Sequence, residues 1–204
     1  HGLIPDRRWL LLFSLLLGGC RSSSATIEVP EWDPAAAADR ALSDYDTNGD
    51  RKLSREELKK CPGLLSAIDQ FDQDRDRSIS GDELTAKLNE IRQQDAALVE
   101  ITCVVTRGGR PFEGATVKFV PEPFMGEDVK PATGVTARDG TTFPSIDDQE
   151  LPEESRGRVR GVPCGVFRVL VTHPTVAVPA KYNTQTELGR IISRRDHEPF
   201  TVAF

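Results

Sequence analysis

This chain contains two stretches of twelve residues that determine how its first half folds, Asp46-Thr-Asn-Gly-Asp-Arg-Lys-Leu-Ser-Arg-Glu-Glu57 and Asp72-Gln-Asp-Arg-Asp-Arg-Ser-Ile-Ser-Gly-Asp-Glu83. Both begin with aspartate, carry an oxygen-bearing side chain at positions 3, 5 and 9, and end with glutamate at position 12. Position 8 is aliphatic in both, Leu53 in the first and Ile79 in the second. Because the same spacing occurs twice, we interpret the two stretches as copies of one structural unit.

This spacing is the ligand pattern of an EF-hand calcium loop, in which position 7 contributes a backbone carbonyl and position 12 a bidentate glutamate. Calcium is a hard cation that takes six to eight oxygen ligands, so the side chains must converge from a tight turn. We therefore predict two Ca²⁺ sites, with the aliphatic position 8 residues pairing the loops. The predicted ligands are Asp46, Asn48, Asp50, the Lys52 carbonyl, Ser54 and Glu57 in the first loop, and Asp72, Asp74, Asp76, the Ser78 carbonyl, Ser80 and Glu83 in the second.

Both loops depart from this pattern at position 6, which holds Arg51 and Arg77. The turn there needs a left-handed backbone, which glycine adopts freely and arginine adopts at a cost of about 1–2 kcal/mol. Since about 1.4 kcal/mol is a factor of ten in affinity, we expect weak to moderate calcium binding. The connection between the loops is short and contains Pro62, and the single methionine, Met125, lies outside the pair. Structural or buffering loops are therefore expected, not a sensor with a methionine-rich groove.

The flanking sequence predicts an α+β protein with two domains. Asp33-Pro34 is typical of an N-cap followed by proline at the first helical position, so a helix is expected over 35–45. With the face formed by Leu84, Leu88 and Ile91, this gives a helical domain over 34–95. From residue 98 apolar residues alternate with polar ones in short runs separated by Gly, Pro and Asp, which predicts an antiparallel β-sandwich over 98–204. The alternating residues are Val99, Ile101, Cys103 and Val105, then Ala115, Val117 and Phe119, then Phe167, Val169 and Val171.

Residues 1–20 are predicted to be an export signal. Arg7 and Arg8 precede an apolar run that is too short to span a membrane, and the run ends in Leu17-Gly-Gly-Cys20. Small residues before a cysteine resemble a bacterial lipobox, which implies lipidation of Cys20, a flexible tether over 21–33, and a membrane-anchored place in the cell envelope facing the periplasm or the exterior. The alternative is an ordinary signal peptide in which the cysteine is incidental.

Export would place Cys61, Cys103 and Cys164 in an oxidising compartment. Three cysteines form at most one internal bond among themselves. We expect Cys103–Cys164, because both lie in the predicted β domain, and the alternative is Cys61–Cys103 across the two domains.

The β region also resembles a known family. Ile101-Thr-Cys-Val-Val-Thr-Arg-Gly-Gly-Arg-Pro-Phe-Glu-Gly-Ala-Thr-Val-Lys-Phe119 resembles the opening of a carboxypeptidase-regulatory or transthyretin-like domain, and Gly165-Val-Phe-Arg-Val-Leu-Val171 resembles a later strand. With the lipobox and the loop pair, the chain is similar to small bacterial envelope lipoproteins that join a short EF-hand pair to such a domain. This resemblance implies a prealbumin-like sandwich.

The composition and the motifs reduce the classes of function that this chain could have. The net charge is −6, and residues 31–95 hold sixteen acidic against ten basic residues, which argues against nucleic acid as a partner. We found no nucleophile–base pair; His173 is expected on the surface, so an enzyme is not expected. The leading interpretation is a lipid-anchored calcium-binding envelope protein with a non-catalytic β module. The alternative is a docking module, ordered by calcium, that binds another envelope protein or a polysaccharide.

Overall fold

The computed structural model describes residues 32–94, 97–195 and 198–204. The predicted signal over 1–20, the predicted lipidation site Cys20 and tether residues 21–31 lie outside these residues. The described residues form a mixed α+β structure with four short helices and sheets made mainly of antiparallel strands. None of the helices in this part of the chain is long and apolar enough to cross a membrane.

The helices belong to the first half of the chain. They are α1 (Pro34–Tyr45), α2 (Pro62–Leu65), α3 (Ile68–Phe71) and α4 (Gly81–Gln93), and a short 3₁₀ helix covers Glu57–Lys60. The start of α1 is confirmed: the Asp33 carboxylate accepts hydrogen bonds from the N–H groups of Ala35 at 2.8 Å and Ala36 at 3.2 Å. A capping box between Ser80 and Glu83 begins α4. The predicted apolar face of α4 is confirmed too, since Leu84, Leu88 and Ile91 are all buried.

Two short strands join the acidic stretches. β1 (Lys52–Ser54) and β2 (Ser78–Ser80) pair antiparallel and place Leu53 opposite Ile79, as the aliphatic position 8 predicted. Both side chains are fully buried. The two stretches are therefore held side by side by the backbone hydrogen bonds between β1 and β2 and by the buried pair Leu53 and Ile79.

The second half of the chain forms two further sheets. Their strands are β3 (Cys103–Arg107), β4 (Arg110–Pro111), β5 (Thr116–Pro121), β6 (Ala132–Val135), β7 (Thr141–Thr142), β8 (Ser145–Ile146), β9 (Gly165–Thr172), β10 (Gly189–Ile192) and β11 (Phe200–Ala203). One sheet has five strands in the order β10-β9-β5-β6-β8, and the other has four, in which β3 pairs with β11, β4 and β7. The predicted inward alternation is confirmed, because every apolar residue that defined it is buried.

Two details of the sheets differ from the prediction. The expected strand at 99–105 begins only at Cys103, and Val99 makes an isolated bridge with Val162. All strands of the sandwich were also expected to pair antiparallel, whereas β11 runs parallel to β3. Parallel partners need a long connection between them, and here that connection contains the entire five-stranded sheet. Alternation along a strand specifies which face is buried but not the direction of its neighbour.

The helical half packs directly on the five-stranded sheet, and its closest approach is made by α2 against β10. A Cβ atom built on Gly189 would lie only 1.9 Å from the Pro62 carbonyl oxygen and 2.6 Å from the backbone nitrogen of Gly63. Glycine at position 189 therefore lets the two backbones touch. The buried apolar residues of both halves form one continuous core.

A buried ion pair lies at the same boundary. Glu122 follows β5 and is fully buried; its carboxylate accepts the Gly63 N–H at 2.8 Å and the Arg168 Nε–H at 3.0 Å. Burial raises the pKa of Glu122, although the hydrogen bonds from Gly63 and Arg168 oppose that shift. The Arg168 side chain remains 30% exposed. This pair therefore connects α2 to the sheet through hydrogen bonds to a carboxylate that is shielded from bulk water.

Among the described residues the structure bonds neither Cys61 nor Cys164 to another cysteine, so the predicted Cys103–Cys164 disulfide and the alternative Cys61–Cys103 are both contradicted. The side chains of Cys61, Cys103 and Cys164 are all buried. Cys103 lies in the four-stranded sheet, whereas Cys164 precedes β9 in the other one. Burial raises the pKa of the Cys164 thiol to about 11 and raises that of Cys61 as well.

We expect these thiols to react only after unfolding. Because the thiolate is the reactive form, the raised pKa values and the burial of Cys61 and Cys164 should make alkylation of the native protein slow at mild alkaline pH. In a version beginning at Arg21, which lacks Cys20, peptide mapping after alkylation in guanidinium chloride without reductant should find both Cys61 and Cys164 modified. Protection of either cysteine until reductant is added would instead support a disulfide.

Candidate metal centre

The acidic stretches form two loops of similar backbone shape, the first loop (46–57) and the second loop (72–83). The predicted left-handed turn at position 6 is confirmed in both, with φ of 64° at Arg51 and 74° at Arg77. A second left-handed residue occurs at position 4, Gly49 in the first loop and Arg75 in the second, with φ of 78° and 63°. The left-handed residue at position 4 was not predicted, although the glycine at that position of the first loop, Gly49, was a signal for it.

In each loop the carboxylate at position 1 organises the turn from inside. Asp46 Oδ2 accepts the Arg51 N–H at 2.8 Å, and Asp72 Oδ2 accepts the Arg77 N–H at the same distance. The predicted ligand at position 3 of the first loop also accepts a hydrogen bond from the backbone of the turn: Asn48 Oδ1 accepts the Asp50 N–H at 2.8 Å. Inward-pointing N–H groups thus hold the oxygens of each loop towards its centre.

The three aspartates of the second loop come together. Asp72, Asp74 and Asp76 each offer a carboxylate oxygen, and these oxygens lie within 4.8 Å of one another. Oxygens bound to a single Ca²⁺ lie 2.3–2.6 Å from it, so two of them are separated by at most about 5.2 Å. The observed separation satisfies that limit. The donor set, made of exposed carboxylates, also suits a hard cation.

The glutamate at position 12 closes each loop. In the first loop, one Glu57 oxygen accepts the Thr47 N–H at 2.9 Å and the other accepts the Ser54 N–H at 2.9 Å and the Ser54 hydroxyl at 2.7 Å. The bonds from Ser54, and then those from Thr47, lower the pKa of Glu57 to about 2. Glu57 is therefore a carboxylate over the physiological pH range.

Glu83 repeats this arrangement in the second loop. It accepts the Gln73 N–H at 2.8 Å and the Ser80 hydroxyl at 2.7 Å. Burial opposes ionisation of Glu83, but the hydrogen bonds outweigh it and the pKa is lowered. In both loops the predicted ligands at positions 9 and 12 are thus joined by the same hydrogen bond, and position 12 is also tied to the N–H group of position 2.

A cation from the first loop reaches the second. The Lys52 ammonium forms an ion pair with the Asp76 carboxylate, and β1 and β2 place the two residues near each other. Hydrogen bonding to Asp76 raises the pKa of Lys52, and the same bond lowers the pKa of Asp76. Lys52 was predicted as a ligand through its backbone carbonyl only. Its side-chain ammonium instead competes with a metal ion for one of the three aspartates.

His173, the histidine expected on the surface of the β region, is held by local contacts. Its Nδ1 accepts the Val176 N–H at 3.0 Å, its Nε2 lies 3.1 Å from the Glu113 carbonyl oxygen, and its ring stacks on Phe112 at 4.8 Å. Because Nδ1 accepts, the Nε2–H donates to that carbonyl. Both ring nitrogens are therefore used to shape the turn after β9.

Comparison of this chain with known proteins gave no match among family models, curated proteins or solved structures. The likeness to EF-hand and transthyretin-like domains therefore rests on the residues and loop geometry described above.

Proposed function

We propose that this protein binds calcium through a pair of EF-hands formed by the first and second loops. The observation that carries the proposal is the convergence of Asp72, Asp74 and Asp76 within 4.8 Å, in a loop whose closing glutamate, Glu83, is already ionised and oriented. The first loop supports it with the same turn and the same closing bonds at Glu57. A bound divalent cation would offset the repulsion between these carboxylates.

The role that fits best is structural or buffering. Arg51 and Arg77 keep strained left-handed backbones, and Lys52 occupies a carboxylate of the second loop, so we expect both sites to be weak to moderate. Extracellular calcium modules commonly operate with dissociation constants of about 10⁻⁴–10⁻³ M, so such sites remain useful outside the cytosol. We propose that the two larger sheets form a non-catalytic, prealbumin-like sandwich and that Cys20 carries a lipid anchor in the cell envelope.

Calorimetric titration with calcium of a version beginning at Arg21 tests the proposal. Two sites are expected, and Glu57→Gln and Glu83→Gln should each remove one of them. Removal of calcium with a chelator should lower the helical circular dichroism and the melting temperature, because the carboxylates of the second loop then repel one another. Absence of heat together with an unchanged melting temperature would refute calcium binding.

The docking alternative is favoured by a separate observation. An open groove of about 970 Å³ runs between the helical half and the five-stranded sheet, with Pro62, Leu65 and Leu170 as its apolar part and Lys60 and Gln185 among its polar part. Pull-down from an envelope extract with and without calcium would test whether this groove holds a protein or polysaccharide. Loss of capture in Leu65→Glu would locate the contact there.

We expect Lys52→Met to tighten calcium binding at the second loop. The variant keeps the position 7 carbonyl but removes the ammonium that pairs with Asp76. Because both side chains are partly exposed, the gain should be modest, roughly threefold. Calorimetry on the Glu57→Gln background, where only the second loop binds, measures it. Lys59→Met, which removes a lysine paired with Glu56 of the first loop and not with the second loop, is the matched control and should leave binding at the second loop unchanged.

Arg51→Gly should strengthen binding at the first loop. Glycine relieves the left-handed backbone at φ 64°, which is worth about 1–2 kcal/mol for arginine and so roughly tenfold in affinity. Arg51→Ala separates strain from charge, since alanine removes the guanidinium and keeps the steric cost. If the alanine variant matched the glycine variant, charge and not strain would weaken the loop.

A further inference from the structure

A second charged cavity adjoins the second loop. Its volume is about 570 Å³, and its lining is entirely charged: Arg55, Asp69, Asp72, Arg75 and Arg77. Arg55 comes from position 10 of the first loop, and Arg75 and Arg77 come from positions 4 and 6 of the second. The pairing of the loops therefore collects three guanidinium groups around one space beside Asp72.

Two of these guanidinium groups have no counter-ion among the residues that the structure describes. Arg55 pairs with Asp69 at 2.9 Å. Across residues 32–94, 97–195 and 198–204, neither the Arg75 nor the Arg77 side chain forms an ion pair or a hydrogen bond; Arg77 contributes only its backbone N–H, to Asp72. Both arginines stand at positions with positive φ, where glycine would be unstrained, as Gly49 is at position 4 of the first loop.

We infer that this cavity binds an oxyanion of the sulfate or phosphate type, and that calcium in the second loop strengthens this binding. A guanidinium group presents several N–H donors in a plane and suits the oxygens of such an anion, often through two parallel hydrogen bonds. Two unpaired guanidinium groups facing one cavity supply the donors and the positive charge. The inference rests on the proposed function for its calcium dependence.

The coupling follows from the charges. Without metal, the three arginines of the cavity are opposed by Asp69 and Asp72, which leaves a small positive excess. A divalent cation held by Asp72 adds two positive charges at the edge of the cavity and thereby favours an anion there. By thermodynamic reciprocity, the anion must raise the affinity for calcium by the same factor. We expect about fivefold, the lower end of the usual coupling range.

The first experiment follows amide chemical shifts by NMR while sodium sulfate replaces sodium chloride at constant ionic strength. In chelator, the native sequence should show weak saturable shifts in the second loop. The double variant Arg75→Gln and Arg77→Gln should bind sulfate at least fivefold more weakly. Arg51→Gln is the matched control, because it alters a position 6 arginine of the same conformation that does not line the cavity, and it should bind sulfate like the native sequence.

The second experiment titrates calcium in the chloride and sulfate buffers, with free Ca²⁺ measured by an electrode. The second site should be about fivefold tighter in sulfate in the native sequence and in Arg51→Gln, and unchanged in the double variant. Retention on dextran sulfate, compared with uncharged dextran, distinguishes the source of the anion. Retention strengthened by calcium assigns the anion to a polymer, and saturable shifts without such retention assign it to a free ion.

The outcomes separate this inference from the proposed function. Equal sulfate binding by the double variant and the native sequence, or shifts that do not saturate, would overturn the anion site. Calcium binding that is identical in both buffers would overturn the coupling while leaving calcium binding intact. If calcium bound in neither buffer, the proposed function would fail. The sulfate titration in chelator would still show whether the cavity binds an oxyanion. Arg75→Lys with Arg77→Lys should restore part of the sulfate affinity, which a folding defect would not.

Discussion

Replacing Glu122 with alanine is expected to lower the free energy of unfolding by about 3–5 kcal/mol, because it leaves a cation without its partner at the boundary between the helices and the sheet. The Glu122 carboxylate is fully buried, and it satisfies both the Gly63 N–H of α2 and the Arg168 guanidinium of β9. Arg168 is partly exposed and recovers some hydration, so the lower half of that range is the better guide. Urea denaturation followed by circular dichroism measures the change.

A double variant provides the control for Glu122. Removal of both charges, as Glu122→Leu with Arg168→Met, leaves no unpaired ion, so it should be destabilised less than Glu122→Ala alone. The remaining loss would report the unsatisfied Gly63 N–H. A double variant that is as unstable as the sum of the two single variants would show that the carboxylate and the guanidinium contribute independently.

Gly189→Ala is expected to be nearly as damaging, at about 3 kcal/mol, which is the upper end for an added methyl group in a packed interior. The new Cβ would lie 1.9 Å from the Pro62 carbonyl oxygen, which is backbone and cannot turn aside like a side chain. The conflict can be relieved only by moving α2 away from β10. Thermal and urea unfolding both measure the loss.

Gly81→Ala is the matched glycine control. Its Cβ would meet only the end of the Leu42 side chain, at 3.0 Å, and it begins helix α4, where alanine is favourable. The control should be neutral within experimental error. A Gly189→Ala protein of native stability would mean that α2 and β10 do not approach each other this closely in solution.

The loops were accessible from the sequence because their chemistry is local. Ligand position, the aliphatic position 8 and the left-handed turn are each fixed by residues within twelve positions, and the hydrogen bonds of Asp46, Asp72, Glu57 and Glu83 follow that spacing. The apolar faces of α4 and of β5 were accessible for the same reason. Whether the loops bind an ion depends on the balance between their carboxylates and the nearby basic side chains. The spacing of the ligands does not determine that balance.

The features that the sequence did not predict depend on contacts between distant residues. Glu122 lies between two prolines in an otherwise apolar segment, and nothing in its neighbours indicates that Arg168 and Gly63 will enclose it. The same holds for the side chain of Lys52, which reaches Asp76 only because β1 and β2 pair. Cys103 and Cys164 were predicted to bond because they share the β region, although Cys103 lies in β3 of one sheet and Cys164 just before β9 of the other. Each of these outcomes is set by tertiary packing.

The parallel pairing of β11 with β3 has a consequence for how the protein is made. β3 precedes residues 200–203 by almost a hundred residues, so as the chain is made or exported from its N-terminus β3 is present before that partner. Throughout that interval one edge of β3, with the apolar side chains of Cys103 and Val105 beside it, offers unpaired backbone groups. The four-stranded sheet is therefore the last of the three described sheets to close. Its open edge is the place where a newly made chain is most exposed to pairing with another copy.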